Sequence, residues 1–293
     1  MVGVHGWRRA ALVSSFLLPS LVPLTLFLIT PMAASIGLSF VSWDLLTSPQ
    51  WVGTDNYREL LHDAAFHSAL LHTVLYIAGY LPLAVGGGLA IALLLHQRLR
   101  GVGWIRTIYF LPVVTSWVVV ALVWKWLLNP QFGIVNTLLG YVGIQGPGWW
   151  TDPNWALPSI ILASAWKDIG FAMVIFLAGL QGIPEEYYEA ASIDGAGRWR
   201  RFRDVTLPLL APTTFFVITI SLINNFQVFD QVWVMTQGGP AGSSSVVVEQ
   251  IVKNAFSYGR MGYASAMSWV LFAIILLFTA AQVRLQRRWV SYD

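Results

Sequence analysis

The sequence predicts an all-α, polytopic membrane protein with six transmembrane helices, and three observations lead to this fold class. Only 11% of the residues are charged while 56% are hydrophobic, and the mean hydropathy is +0.64. A water-soluble surface of ordinary charge density cannot be assembled from that composition. Six apolar runs are each long enough, at about 20 residues, to cross a bilayer as a helix. None shows the period-two alternation expected of transmembrane strands.

The first predicted span covers residues 11–40. A stretch of 34 residues from Ala10 to Trp43 contains no charge and follows two arginines. The apolar region of a cleaved signal peptide is about 7–15 residues long, which is too short for this stretch. We therefore expect a retained span, with cleavage near "PMAAS" as the alternative.

The other five spans are predicted at 69–95, 107–128, 156–182, 207–235 and 263–283, so that 1–293 form a single transmembrane domain. Lys and Arg are enriched in cytoplasmic loops of membrane proteins. Twelve of the seventeen basic residues fall on one side of this arrangement, which predicts that both termini are cytoplasmic. The twelve are Arg8, Arg9, Arg98, Arg100, Arg106, Arg198, Arg200, Arg201, Arg203, Arg284, Arg287 and Arg288.

The predicted outer loops are rich in Trp, Asn, Gly and Pro, a composition typical of ordered turns. Their tryptophans lie near predicted span ends and indicate an interfacial aromatic belt, with docking of an external partner as the alternative. These tryptophans are Trp43, Trp51, Trp149, Trp150 and Trp155.

Several function classes are excluded by what the sequence lacks. A net charge of +3 without a dense basic run does not favour nucleic-acid binding. The chain has no cysteine, so disulfides, thiolate metal sites and cysteine nucleophiles are absent. His62, His67 and His72 are spaced by five, too far apart for a metal-binding pair on one helix face. We expect no metal and no cofactor in this chain.

One charged block, residues 184–206, interrupts the apolar sequence between the fourth and fifth spans. Pro184 suits the first position of a helix, and Glu185 then lies at the positive end of the helix dipole. Asp194-Gly195 is a turn signal, after which apolar residues recur at i+3 spacing among four arginines. The block predicts two short cytoplasmic helices that meet at a glycine. A membrane-surface amphipathic hairpin is the alternative.

The residue order in this block resembles the "EAA…G…I-x-L-P" loop of ABC importer permeases. Glu189-Ala190-Ala191 is followed by Gly195 and then by "VTLP" at 205–208, with valine in place of the usual isoleucine. The segments "RTIYFLP", "WKWLLNPQFGIVN" and "FQVFDQVWVMTQGGP" extend the likeness over most of the chain. The sequence is similar to membrane subunits of carbohydrate-uptake importers of the maltose-permease type.

The resemblance implies a type I permease fold in a bacterial or archaeal plasma membrane, with a coupling helix seated on a cytoplasmic ATPase. The residues implied in coupling are Glu185, Glu189, Ala190, Ala191, Asp194, Gly195, Arg198 and Pro208. The implied partners are a sister permease that completes a heterodimer, a dimer of cytoplasmic ABC ATPase subunits and an extracytoplasmic solute-binding lipoprotein.

The chain itself is expected not to be an enzyme. It contains no G-x-x-x-x-G-K-[ST] loop, so ATP and Mg²⁺ are expected on the partner ATPase. Gly86-Gly87-Gly88 has no lysine beside it and lies inside the second span, where small residues permit close helix packing.

Polar residues in the fifth span predict a solute pathway, because polar side chains are costly in a membrane helix. At 100° per residue Ser221, Asn224, Gln227 and Gln231 share one stripe, and amides and hydroxyls suit a neutral, hydroxyl-rich solute. Contacts with the sister permease are the alternative. The complete candidate set is Ser221, Asn224, Asn225, Gln227, Asp230, Gln231 and Lys167.

Two lysines lie within predicted spans. Lys167 is expected to pair with Asp168 or another acid, with solute contact as the alternative. Lys125, near an outer span end, is expected to extend its ammonium toward the interface.

The leading prediction is a permease for a sugar, oligosaccharide or related polyol, with glycerol 3-phosphate or a glycerophosphodiester as the alternative cargo. An ion-coupled secondary transporter, with Lys167 or Asp230 carrying the coupling charge, is a more distant alternative. It would be expected to contain inverted repeats, and six unequal spans show none. An intramembrane enzyme is disfavoured because no catalytic grouping converges within the spans.

Overall fold

The computed structural model describes residues 6–97 and 101–289. Arg98 and Arg100, which the charge argument assigns to the cytoplasmic side, lie outside the described residues, as do the extreme chain ends. The chain divides into two compact units, one formed by the chain up to Asp63 with Ile251–Val270 and the other by Ala64–Gln250 with the chain from Leu271.

The described residues form sixteen α-helices and one short pair of strands. The first eight helices are α1 (Trp7–Leu24), α2 (Thr30–Leu38), α3 (Asp55–His62), α4 (Ala64–Leu81), α5 (Gly87–Leu95), α6 (Val102–Val114), α7 (Trp117–Leu127) and α8 (Ile134–Tyr141). The others are α9 (Ala156–Gln181), α10 (Glu185–Ile193), α11 (Arg198–Arg201), α12 (Leu207–Leu209), α13 (Ala211–Phe226), α14 (Asp230–Met235), α15 (Val247–Val252) and α16 (Met261–Trp289). The strands are β1 (Val41–Ser42) and β2 (Gln50–Trp51).

Several of these helices are continued or ended by single π-helical turns. Such turns lie at Thr25–Ile29, Pro82–Gly86, Phe202–Thr206 and Lys253–Ser257, and a 3₁₀ turn lies at Trp149–Thr151. Because Pro82 has no N–H to donate, the helix accommodates this residue with a widened turn.

Four helical segments are long and apolar enough to cross a membrane, namely Leu12–Leu38, Ala64–Leu95, Ala156–Gln181 and Met261–Leu285. Two bent pairs also qualify, which raises the number to six if each pair is counted as one span. These are Val102–Val114 with Trp117–Leu127, bent by 101°, and Arg198–Leu209 with Ala211–Phe226, bent by 63°. The all-α, membrane-embedded fold class is confirmed.

The two bends fall within the predicted spans 107–128 and 207–235. Thr115 and Ser116 have extended backbone conformations, with ψ of 141° and 139°, so α6 ends before α7 begins. In the second pair, Pro212 lies in the first turn of α13 and has no N–H to continue a helix from Pro208. The second break therefore has a local backbone cause.

In the first unit, a turn-rich segment follows α2 and is tied together by Asn56. Its side-chain amide donates to the carbonyl oxygens of Ser39, at 2.9 Å, and Val41, at 3.0 Å. Strands β1 and β2 pair antiparallel, with Val41 opposite Trp51. A Cβ built on Gly262 would lie 1.7 Å from the Val41 carbonyl oxygen, so only glycine permits this close approach.

The second unit is organised around α9, in which 14 of 26 residues are buried. Its apolar face packs in a cluster formed by Ala92, Leu95, Ala172, Met173, Phe176, Leu177, Leu180, Leu210 and Val217. A Cβ on Gly88 would lie 2.5 Å from the Ala172 Cβ, whereas one on Gly86 would meet nothing within 4 Å. Of these two glycines, Gly88 is therefore the one that permits close helix packing.

Candidate functional site: a polar cavity and an exposed helical loop

A cavity of about 290 Å³ lies in the second unit at the point where α13 gives way to α14. Helix α13 ends at Phe226, and Gln227 (φ −101°, ψ 20°) and Phe229 (φ −146°, ψ −61°) have left the helical conformation. Because the helix is interrupted here, the predicted stripe does not continue as one helical face to Gln231. The interruption places residues 227–230 along the cavity wall.

Six of the seven predicted pathway residues line this cavity, and Lys167 is the one that does not. The six are Ser221, Asn224, Asn225, Gln227, Asp230 and Gln231. Solute binding by these residues stays a prediction, but the structure places them together.

Three of the six are buried and participate in internal hydrogen bonds. The Asn225 amide donates to the Ser221 carbonyl oxygen at 2.7 Å and accepts from the Tyr76 hydroxyl at 3.0 Å. The Gln231 amide donates to the Tyr76 hydroxyl at 3.2 Å. Since buried polar groups are costly unless bonded, we interpret these contacts as the frame of the cavity wall.

The other three, Asn224, Gln227 and Asp230, are exposed. Their side chains make no hydrogen bond to another group within the described part of the chain, so their donors and acceptors are available to a ligand. These groups are the polar face that the cavity presents.

Sequence reasoning missed the aromatic part of the lining. Tyr80, Trp117, Phe171 and Phe229 all border the cavity. They come from four separate segments, and aromatic residues are common throughout the chain. No local signal therefore distinguishes these four, and only packing around α9 identifies them.

Within the described residues, Lys167 and Asp168 do not form the ion pair with each other that the sequence predicts, and their side chains bond to different partners. The Lys167 ammonium donates to the Val113 carbonyl oxygen at 2.9 Å and lies 4.6 Å from the centre of the Trp117 ring. Asp168 accepts from the Tyr80 hydroxyl at 2.8 Å and lines the cavity. Successive helical residues point about 100° apart, which accounts for the separation.

The Lys125 side chain makes two contacts within the second unit. Its ammonium donates to the Val234 carbonyl oxygen at 3.2 Å and lies 5.0 Å from the centre of the Trp150 ring. This lysine is therefore held by α14 and an aromatic ring of the same unit.

The charged block forms two helices joined by a tight turn. Helix α10 begins at Glu185, with Pro184 as its N-cap instead of its first helical residue. At its end, the Gly195 N–H donates to the Ser192 carbonyl oxygen at 3.1 Å, and the Ala196 N–H donates to the Ala191 carbonyl oxygen at 2.9 Å. This is the Schellman arrangement, which requires a left-handed residue, and Gly195 has φ +77°.

Side chains hold the two helices of the block together. The Tyr188 and Thr206 hydroxyls are 3.1 Å apart, and Arg201 donates to the Ser192 hydroxyl at 3.1 Å. Pro208 lies inside the helical segment Arg198–Leu209, and the helix axis changes after it, at Leu210.

The block leaves apolar side chains uncovered. Ile193 is 86% exposed, Trp199 is 72% exposed and Tyr187 is 53% exposed. Glu185, Glu189 and the other acidic residues of α10 are exposed beside them. A mixed surface of this kind, on a short helix, is typical of a docking element.

Among the described residues, no group of three or more His, Asp or Glu side chains is arranged to hold a metal ion.

Comparison with known proteins decides the family. A sequence profile described as "Binding-protein-dependent transport system inner membrane component" matches residues 84–291. The chain belongs to this family. The resemblance to ABC importer permeases is thereby confirmed, and the chain is a non-catalytic inner membrane component whose ATPase is a separate subunit.

Within the family, the chain is similar to curated relatives over nearly its full length. It is 38% identical to the probable ABC transporter permease protein YesP of Bacillus subtilis, over 95% of this chain and 91% of the relative. It is 32% identical to the trehalose/maltose transport system permease protein MalF of Thermococcus litoralis, over 96% of this chain and 95% of the relative.

A solved structure supports the type I permease fold. The chain is similar to a chain of a bacterial ABC transporter involved in the import of the acidic polysaccharide alginate, with a TM-score of 0.84, 26% identity and coverage of 96% of both chains. That alginate transporter has also been solved in complex with an alginate pentasaccharide-bound periplasmic protein.

Proposed function

We propose that this chain lines the translocation pathway for a sugar, an oligosaccharide or a related polyol in an ATP-driven importer. The observation that carries the proposal is the cavity of about 290 Å³, whose lining includes both exposed amides and aromatic rings. A relative named for trehalose/maltose transport, and a similar structure from an alginate importer, support a carbohydrate cargo.

The cavity chemistry fits a hydroxyl-rich solute. The side-chain amides of Asn224 and Gln227 each offer donors and an acceptor, and a hydroxyl group can use both. Rings such as Phe229 and Trp117 offer apolar surface for the C–H face of a sugar ring. The combination of a few placed polar groups with aromatic walls is typical of small-molecule sites.

We further propose that the exposed block couples this pathway to the ATPases. Helix α10 follows α9 after a short connection, and the segment Arg198–Leu209 leads into α13, whose end borders the cavity. Movement of the block would therefore be passed to two cavity-lining helices. The contact residues proposed are Glu185, Glu189, Ala190, Ala191, Asp194, Gly195, Arg198 and Pro208.

The assembly proposed around the chain includes a sister permease, a dimer of cytoplasmic ATPase subunits and an extracytoplasmic solute-binding protein. We propose that both termini lie in the cytoplasm, because Lys and Arg are concentrated in the loops on that side. ATP-driven closure of the ATPases would turn the pathway outward, and hydrolysis would release it.

Uptake by membrane vesicles that contain the whole importer tests the cargo and the cavity together. The probes are labelled maltose, trehalose, maltotriose and glycerol 3-phosphate. Asn224→Ala and Gln227→Ala should each lower carbohydrate uptake about two- to tenfold, since each removes hydrogen bonds worth about 0.5–1.5 kcal/mol. Asn154→Ala, an exposed amide outside the cavity, serves as the matched control.

Uptake of glycerol 3-phosphate alone would refute the carbohydrate assignment. Equal uptake by the cavity variants and the Asn154→Ala control would refute the cavity as the pathway.

A further inference from the structure

The cavity lining is acidic and contains no basic residue. Its thirteen lining residues include two carboxylates, Asp168 and Asp230, and no Lys, Arg or His. The composition of the fifth span alone did not indicate this charge balance, because Asp168 comes from α9.

The cation next to Asp168 in the chain, Lys167, does not line the cavity itself but contacts two residues that do. The Lys167 ammonium lies against the Val113 carbonyl oxygen and the face of the Trp117 ring. Within the described part of the chain, the one hydrogen bond that Asp168 receives comes from a neutral group, the Tyr80 hydroxyl. Asp230 is exposed on the cavity wall, at the start of α14.

We propose that Asp168 and Asp230 make this subunit selective for neutral over anionic carbohydrates. The inference rests on the proposed function of the cavity as a sugar pathway. Ionised carboxylates accept hydrogen bonds and donate none, so they suit solute hydroxyls. They repel uronate, sulfonate and phosphate groups, and the repulsion is stronger in a partly desolvated cavity than in water.

This selectivity separates the chain from its structural neighbour. The similar transporter imports an acidic polysaccharide, whereas the cavity described here presents negative charge to its solute. The fold is shared, but the charge of the lining opposes an acidic cargo. The same charge disfavours glycerol 3-phosphate and glycerophosphodiesters.

The test measures competitive binding of two solutes, at equilibrium, to the complete importer in lipid nanodiscs. The solute-binding protein is omitted so that it does not select the solute. Labelled maltotriose is displaced by unlabelled maltotriose or by trigalacturonate, an anionic trisaccharide of similar size. We expect the wild-type importer to prefer maltotriose. Asp168→Asn and Asp230→Asn should each shift the affinity ratio toward trigalacturonate about tenfold, and Asp152→Asn, outside the cavity lining, should not shift it.

The Asp230→Asn variant keeps the test valid if Asp168→Asn disturbs folding through loss of the Tyr80 contact. Equal wild-type affinity for the two trisaccharides, or unchanged ratios in both cavity variants, would overturn the charge selectivity while leaving the sugar pathway standing. Failure of the wild-type importer to bind either trisaccharide would overturn the proposed function of the cavity, and the selectivity with it.

Discussion

The left-handed turn at Gly195 provides a direct test of coupling through the exposed block. Gly195 has φ +77° and Gly197, two residues later, has φ −67° and ψ 172°. A Cβ added at either position would meet nothing within 4 Å. The effects of the same substitution at the two glycines therefore differ mainly because the backbone conformations differ, and not because one position is more crowded.

Serine at the two positions should have different consequences. A non-glycine residue in the left-handed region costs about 1–2 kcal/mol, which is a factor of roughly 5–30 in the population of the turn. Gly195→Ser should therefore loosen the junction of α10 and α11. Gly197 is the N-cap of α11, where serine is favourable, so Gly197→Ser should leave the turn intact.

The assay measures solute uptake per ATP hydrolysed in vesicles with the complete importer. We expect Gly195→Ser to lower this ratio about fivefold, with normal membrane insertion, and Gly197→Ser to leave it unchanged. Gly195→Asn should fall between glycine and serine, because asparagine tolerates the left-handed region better than most residues. Equal ratios in Gly195→Ser and Gly197→Ser would refute the argument that the turn transmits the work of the ATPases.

Two further predictions concern stability. Gly88→Ala should lower the melting temperature of the detergent-solubilised chain, since its Cβ would lie 2.5 Å from the Ala172 Cβ and overpacking costs about 1–3 kcal/mol. The matched control Gly86→Ala, whose Cβ would meet nothing within 4 Å, should leave the melting temperature unchanged. Equal melting temperatures of the two variants would contradict the packing role of Gly88. The exposed Asp44 carboxylate accepts hydrogen bonds from the Thr47 backbone N–H and hydroxyl, and these bonds lower its pKa. The turn is therefore fully stabilised at a pH above the ordinary pKa of Asp. This stabilisation is lost as the pH falls through the lowered pKa. Asp44→Asn should accelerate amide exchange at Thr47 at neutral pH, and unchanged exchange would contradict that role.

Local features of the sequence were the most predictable. The turn at Asp194-Gly195 was predicted from two residues, and Gly195 lies in the left-handed region that such a turn needs. Pro212 also interrupts a helix through its own missing N–H, although the sequence analysis predicted one continuous span there. These effects depend on neighbours within one helical turn, so they can be inferred without knowledge of the fold.

The cavity was only partly predictable. The polar residues of the fifth span were visible in the sequence, but the segment "NNFQVFDQV" has no Gly or Pro to announce the break between α13 and α14. The division into buried and exposed members also required the structure. Gln231 is held by Tyr76, which lies 155 residues earlier in the chain.

The sequence by itself determined the membrane environment and the helical fold class, because composition and the length of apolar runs are sufficient to decide where such a chain is soluble. Tertiary structure alone decided which polar groups face the cavity, which aromatic rings surround them, and that Asp168 lines the wall while the Lys167 ammonium bonds to the Val113 carbonyl oxygen. The direction of a side chain on a packed helix depends on partners far away in the chain, and no local pattern specifies those partners.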